Sequence, residues 1–394
     1  MTKLIDITGK AISGEWGNDD ETGEGIPVLR TTNFTNEGIV DYKNVVTRNI
    51  TKKNISEKYL KHGDIIVEKS GGSDKQPVGR VIYFEGEEDK FLFNNFTGLL
   101  RVQNTKEWYP KYVFYSMFSN YNKGGTRRFQ NKTTGLHNLQ IDRYVNELCL
   151  KKVELEKQVK CCEILDKIKA IIDYRKRQIE ELDILIKSRF VEMFGDPVHN
   201  PFAWNIKPFL ECGSCKNGMN FGAGETGVEL QYLGVGDFKN LTKIEEVTKL
   251  GQVCLNKMPS EDYMLKNGDI VFVRSNGNKA LVGRCLAVYP NGTPITYSGF
   301  CIRYRKTDES LEIPYLLQVL KTESMRLMMA GRGANIQNLN QQILGQLQIP
   351  IPPKDLQREF GQFINQVDKL KFGVHKSLDE TQELFDSLMQ MYFE

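Results

Sequence analysis

Histidine is scarce in this chain of 394 residues: there are four, His62, His137, His199 and His375, and no two are spaced as metal ligands on one face. Phosphate-binding glycine loops are missing too, since Gly9-Lys10 runs into Ala11 with no glycine-rich stretch before it. Asp196-Pro197 and Asn200-Pro201-Phe202 each hold a single proline, so neither forms the Asn/Asp-Pro-Pro-aromatic motif of amino-methyltransferases. Carboxylates are scattered; Asp64 and Asp269 follow glycine at turn-to-strand junctions, where a turn role outweighs acid–base work. These absences exclude the common catalytic constellations and any metal centre, so no catalytic residue is expected.

Long apolar runs are also lacking. No stretch approaches a membrane span, and Met1-Thr2-Lys3-Leu4-Ile5-Asp6 has no signal-peptide core, which predicts a cytoplasmic protein. Charge of one sign is lacking as well: 53 Lys and Arg against 50 Asp and Glu give a net charge of only +3. Any nucleic-acid footprint must therefore come from local clusters. The eight cysteines read as free thiols in such a compartment. Cys212-x-x-Cys215 has metal-like spacing but no second pair, and Cys161-Cys162 suit small buried positions on a helix.

Proline and glycine are absent from Lys151 until Gly195, and there the chain is organised. Apolar residues recur at alternating spacings of four and three through Cys161, Leu165, Ile168, Ile172, Ile179, Leu182, Ile186 and Met193, with Arg175 and Arg189 the breaks. This heptad pattern predicts a helix of about forty residues, roughly 60 Å long, packed on another helix. Ile364, Val367, Val374, Leu378, Phe385 and Leu388 repeat it near the C-terminus.

The rest of the chain is also written twice. Ile26–Phe34 aligns with Leu230–Phe238, Gly63-Asp64-Ile65-Ile66 with Gly268-Asp269-Ile270-Val271, and Val78-Gly79-Arg80 with Val282-Gly283-Arg284, all offset by 204 or 205 residues. Each half runs through short β-type segments, a short amphipathic helix (near Pro110–Asn120 and Pro314–Glu323), a polar loop and a long helix. Ile349-Pro350-Ile351-Pro352-Pro353 reads as a stiff connector into the second long helix. The expected fold class is α+β: two pseudo-twofold-related α/β recognition domains joined by two long antiparallel coiled-coil spacer helices. The expected segments are a first recognition domain at 1–150, a central spacer at 151–195, a second recognition domain at 196–350 and a C-terminal spacer at 351–394.

Polar loops at equivalent places are the expected reading surface. Lys69, Ser70, Ser73, Lys75 and Arg80 in the first half face Arg274, Ser275, Asn276, Asn278, Lys279 and Arg284 in the second. Arg127, Arg128, Gln130, Lys132 and Thr133 correspond to the loop bearing Arg332 and Asn335. Arg, Asn and Gln can bond base edges in two places, and Lys, Ser and Thr suit phosphates.

With these residues laid out, the chain resembles the DNA-specificity subunit of type I restriction–modification systems. The resemblance rests on the paired Gly-Asp-Ile and Val-Gly-Arg motifs, Asn138-Leu139 with Asn338-Leu339, the helix entries Leu155-Glu156-Lys157-Gln158 and Ile349–Pro353, and the rod end Phe190–Asp196. It implies a non-catalytic subunit that reads a bipartite, asymmetric target in double-stranded DNA. It also implies docking of two methyltransferase subunits and two ATP-driven restriction subunits, with S-adenosylmethionine, ATP and Mg in those partners and no cofactor here. The alternative is a degenerate or regulatory adaptor that binds the partners without specific readout.

Overall fold

The strands Ile65–Glu68 and Asp269–Val273 are buried along their whole length, and each half of the molecule is built around one of them. The structure is a computed structural model describing residues 1–73, 76–133, 136–222, 224–238, 243–330 and 338–393, with backbone alone for 132, 133 and 136. The chain forms two compact units, Met1–Lys176 with Lys376–Glu394, and Arg177–His375. That division cuts each long helix near its middle.

In the first unit Ile65–Glu68 pairs antiparallel with Thr97–Leu100 on one side and Val81–Tyr83 on the other, and Ile12–Ser13 extends the sheet. Side chains alternate across a strand, so Ile65 and Val67 enter one core and Ile66 the other. The first core is closed by the helix Pro110–Asn122, which begins on a proline as a helix can. The other core gathers Leu29, Phe34, Phe84, Phe93 and Leu99.

The second unit repeats the plan. Asp269–Val273 lies between Cys301–Lys306 and Cys285–Val288, with Gly213–Asn217 and Lys243–Ile244 at the edges. Ile270 and Phe272 face one core, Val271 and Val273 the other. The short helix of the repeat is two pieces here, Ile313–Lys321 and Glu323–Ala330.

The Gly-Asp motif has a single physical cause in both units. Gly63 and Gly268 hold φ of +92° and +84°, the left-handed conformation that favours glycine. The turn aims the next carboxylate inward. Asp64 accepts the Lys61 N–H at 2.7 Å and both forks of Arg101 at 2.7 Å. Asp269 accepts the Lys266 N–H at 2.7 Å and Arg305 at 2.8 and 2.7 Å. The expected turn role is therefore joined by a bidentate ion pair.

The long helices are Leu155–Phe194 and Lys354–Phe393. In the first unit Cys161, Leu165, Ile168 and Ile172 share a core with Phe385, Met389, Leu378 and Leu388. In the second, Ile186, Phe190 and Phe194 share one with Phe360 and Ile364. Asp183 binds Lys371 at 2.7 Å and Arg189 binds Glu359 at 3.1 Å, so the partner number falls as the helix advances: the two run antiparallel. Leu165, Ile168, Ile172, Val367 and Phe385 are buried, whereas Ile179, Leu182, Ile186, Ile364, Val374, Leu378 and Leu388 are half-buried. A pair of helices covers each stripe from one side only.

The proline-rich connector is a strand. Gln348–Ile351 pairs antiparallel with Asn205–Pro208, as Cys149–Leu150 pairs with Thr2–Lys3 in the first unit. A two-stranded ribbon has only edge strands, where a proline without N–H is tolerated. Among the described residues no helix is long and apolar enough to cross a membrane.

Candidate nucleic-acid interface

In the first unit the two polar loops, distant in sequence, become one small sheet. Ser70–Gly72 pairs with Leu136–Leu139, which pairs in turn with Gln130–Thr133. The Val-Gly-Arg turn supports it from behind: Gly79 has φ +105°, and a Cβ there would stand 2.8 Å from the Thr126 methyl. The loop Gly124–Arg128 thus rests directly on glycine backbone.

The predicted side chains divide into outward and inward sets. Arg127 and Arg128 are exposed in the 3-10 turn Arg127–Phe129, with the Arg128 guanidinium 4.6 Å over the buried Phe129 ring. Ser73 is exposed and its hydroxyl accepts the Gln76 N–H at 3.1 Å. Ser70 is half-buried. Lys69 donates to the Ser13 hydroxyl at 3.0 Å, and burial holds its pKa below the usual lysine value.

Gln130 turns inward, its amide oxygen 3.1 Å from His137 Nδ1 and its nitrogen 3.5 Å from the Val78 carbonyl. Arg80 is the other inward residue. It binds the buried Glu68 carboxylate at 3.0 and 3.2 Å and the carbonyls of Thr31 and Phe34 at 3.2 Å. With its fork committed, Arg80 braces the sheet. Lys75 lies outside the described residues, as do the side chains of Lys132 and Thr133.

The second unit presents Ser275, Asn276 and Lys279 on the wall of an open cleft of about 920 Å³. Phe221, Tyr232 and Phe300 line the same cleft. Asn276 and Asn278 shape the loop: their side-chain oxygens accept the N–H groups of Asn278 at 2.7 Å and Ala280 at 3.1 Å. Arg284 donates to the Ala280 carbonyl at 3.2 Å. Its neighbour across the strand is Val273, which stands where the first unit has Glu68. Arg332 and Asn335 lie outside the described residues.

Lys69 and Arg274 occupy one and the same place in the two units. The Lys69 N–H donates to the Phe96 carbonyl and its carbonyl accepts from Leu139, both at 2.8 Å; Arg274 does so with Phe300 and Leu339 at 2.8 Å. Phe96 and Phe300, both exposed, were not among the expected site residues; their recurrence in the repeat was the available signal.

No three His, Cys, Asp or Glu side chains gather as a metal-ligand set among the described residues. Burial pushes the Cys212 thiol up, and that of Cys215 up to about 12.

Comparison with known proteins agrees with this duplicated plan. The family model of the type I restriction modification DNA specificity domain matches residues 3–183 and 229–383. The StySPI specificity subunit of a type I restriction enzyme from Salmonella potsdam is 24% identical over 405 residues, spanning 93% of this chain and 81% of the relative. The S subunit of the type I system from M. genitalium shares the fold with a TM-score of 0.55 at 15% identity, over 100% of this chain and 95% of that one. A chain from a structure of complex assembly and conformational transition in a type I R–M system aligns with a TM-score of 0.58 at 14% identity, over 99% and 96%. With two tandem recognition domains of mixed helix and sheet, and a role in DNA sequence specificity rather than catalysis, the chain belongs to the specificity-subunit family of type I restriction–modification systems.

Proposed function

We propose that each unit reads one part of a split, asymmetric sequence in double-stranded DNA, and that the two long helices fix the gap between the parts. Half-site spacing in a two-headed reader follows the separation of its heads. The observation that carries this reading is the equivalence of Lys69 and Arg274, held by the same main-chain bonds beside loops of different sequence. Like frames with unlike loops suit two different half-sites. The proposed reading residues are Lys69, Ser70, Ser73, Lys75, Arg127, Arg128, Lys132 and Thr133 in one unit, and Arg274, Ser275, Asn276, Asn278, Lys279, Arg284, Arg332 and Asn335 in the other.

The same reading has the recognition domains at 1–150 and 196–350, with the spacers at 151–195 and 351–394 as docking elements for two modification subunits. Exposed apolar side chains on the helices favour docking: Ile171, Tyr174, Leu384 and Met391 in the first unit, Ile184, Leu185, Leu370 and Phe372 in the second. Two restriction subunits complete the complex in the cytoplasm. Methyl transfer from S-adenosylmethionine and ATP-driven cleavage belong to those partners.

Co-expression with the neighbouring modification subunit, followed by mapping of methylated adenines in host DNA, tests the reading. A split motif with a fixed gap is the expected result. Co-purification without sequence-specific methylation would instead identify an adaptor, and failure to co-purify would count against both.

A further inference from the structure

Phe96 and Phe300 stand in equivalent turns that join strands of two different sheets, with 53% and 59% of their surface open to solvent. Each is the third residue of a tight turn closed by the same bond, Thr97 N–H to the Asn94 carbonyl at 3.1 Å and Cys301 N–H to the Ser298 carbonyl at 2.8 Å. Each carbonyl then accepts the N–H of the neighbouring cation, Lys69 or Arg274, at 2.8 Å. The main chains of phenylalanine and cationic residue are therefore paired side by side. Phe300 also walls the 920 Å³ cleft, together with Tyr232, Asn276 and Lys279.

The polar loops beside these rings differ between the units. Lys69-Ser70-Gly71-Gly72-Ser73 stands against Arg274-Ser275-Asn276-Gly277-Asn278, yet phenylalanine occupies both turns. A phenyl ring has no donor or acceptor, so it cannot read the hydrogen-bond code of a base edge. A residue common to two otherwise different readers suits a task that is indifferent to sequence. Stacking is such a task, because every base has a π-face, and apolar side chains are known to wedge between base steps. The adjacent cation supplies the phosphate contact that would hold the backbone at the ring.

We infer that Phe96 and Phe300 are sequence-tolerant DNA contacts, one per unit, each ring packing against the face of a base at a loosened step beside the residues that select sequence. This rests on the DNA-reading function proposed above.

The test uses the full chain in complex with its modification subunit and two duplexes: the one defined by methylation mapping and an unrelated one. Phe96→Ala and Phe300→Ala should each weaken both affinities by a common factor, roughly 5- to 150-fold, leaving their ratio unchanged. Phe300→Trp should retain affinity, and its emission, after subtraction of the three native tryptophans, should be quenched by DNA. Unchanged affinity in the alanine variants, or no quenching, overturns the contact. Loss of preference for the mapped duplex at constant non-target affinity overturns its sequence tolerance. If the unsubstituted complex itself does not distinguish the duplexes, the reading function fails first, which is a separate result.

Discussion

Gln158 and Gln357, one near the start of each long helix, are fully buried and make the same three hydrogen bonds. The Gln158 amide donates to the carbonyls of Val153 at 2.8 Å and Glu107 at 2.9 Å, and accepts the Tyr109 N–H at 2.8 Å. Gln357 donates to Pro352 at 2.8 Å and Ser310 at 2.9 Å, and accepts the Glu312 N–H at 2.8 Å. The acceptors include a carbonyl just before the long helix, and the other partners flank the start of the short one. Each glutamine thus stitches a long helix to its own unit. Tyr112 and Tyr315 reinforce the join through their hydroxyls, to the carbonyls of Lys151 at 3.0 Å and Pro350 at 2.9 Å.

Replacing either glutamine by leucine keeps the volume and strands three backbone groups without partners. Each buried group left unpaired costs about 1–3 kcal/mol, and backbone relaxation recovers part of it. Gln158→Leu and Gln357→Leu should each therefore lower unfolding free energy by about 2–4 kcal/mol in urea titration. A loss below about 0.5 kcal/mol would mean that water reaches the stranded groups.

The two arginines flanking the first reading sheet should separate stability from binding. Arg80→Ala leaves the Glu68 carboxylate, 2% exposed, without its partner. Breaking a buried pair from one side costs about 3–5 kcal/mol, so Arg80→Ala should lower the urea midpoint strongly. Arg128→Ala should leave that midpoint unchanged and weaken DNA affinity by up to about tenfold at low salt, with a shallower salt dependence. Equal effects of both variants on DNA affinity, at equal stability, would contradict the inward assignment of Arg80.

Asp64 and Asp269 offer the same comparison within each fold. Both carboxylates are buried, and each accepts a backbone N–H besides its arginine. Asparagine can keep the backbone bond through its one oxygen and loses the charge and one of the two arginine bonds, whereas alanine loses all of them. Asp64→Ala and Asp269→Ala should cost about 3–5 kcal/mol, and the asparagine variants clearly less. Identical losses for the two substitutions at one site would show that the turn bond adds nothing.

Motifs that encode backbone geometry were legible because a positive φ or a heptad leaves a mark on residue type. The Gly-Asp turns, the strands after them and both long helices fall where periodicity put them. Long-range partners left no such mark. That Arg80 turns to Glu68 depends on which face of a strand meets which loop, and in the second unit Val273 removes that acid while Arg284 remains. Gln158 reads in sequence as one more polar residue on an amphipathic helix, although it is fully buried. The strand pairing of the proline-bearing connector left no mark either, because a two-stranded ribbon accepts prolines that a larger sheet would reject.

A last prediction concerns acid. Asp308 accepts Lys207 at 2.5 Å, and the Ser310 hydroxyl and N–H at 2.6 and 2.8 Å. Lys207, then Ser310, holds the Asp308 carboxyl down at about 2, against an ordinary 3.8. The folded pKa is below the unfolded one, so the folded state binds fewer protons, and the stabilisation is present above the unfolded value. It should be lost as pH falls from about 4 through about 2. Lys207 shifts upward through the same contact, so its contribution would fade only at alkaline pH. In urea titrations from about pH 5 to about pH 2, Asp308→Asn should therefore show a shallower loss of stability than the unsubstituted chain. Parallel curves would mean that the carboxylate ionises alike in the folded and unfolded states, and the Lys207 contact would then add nothing to folding.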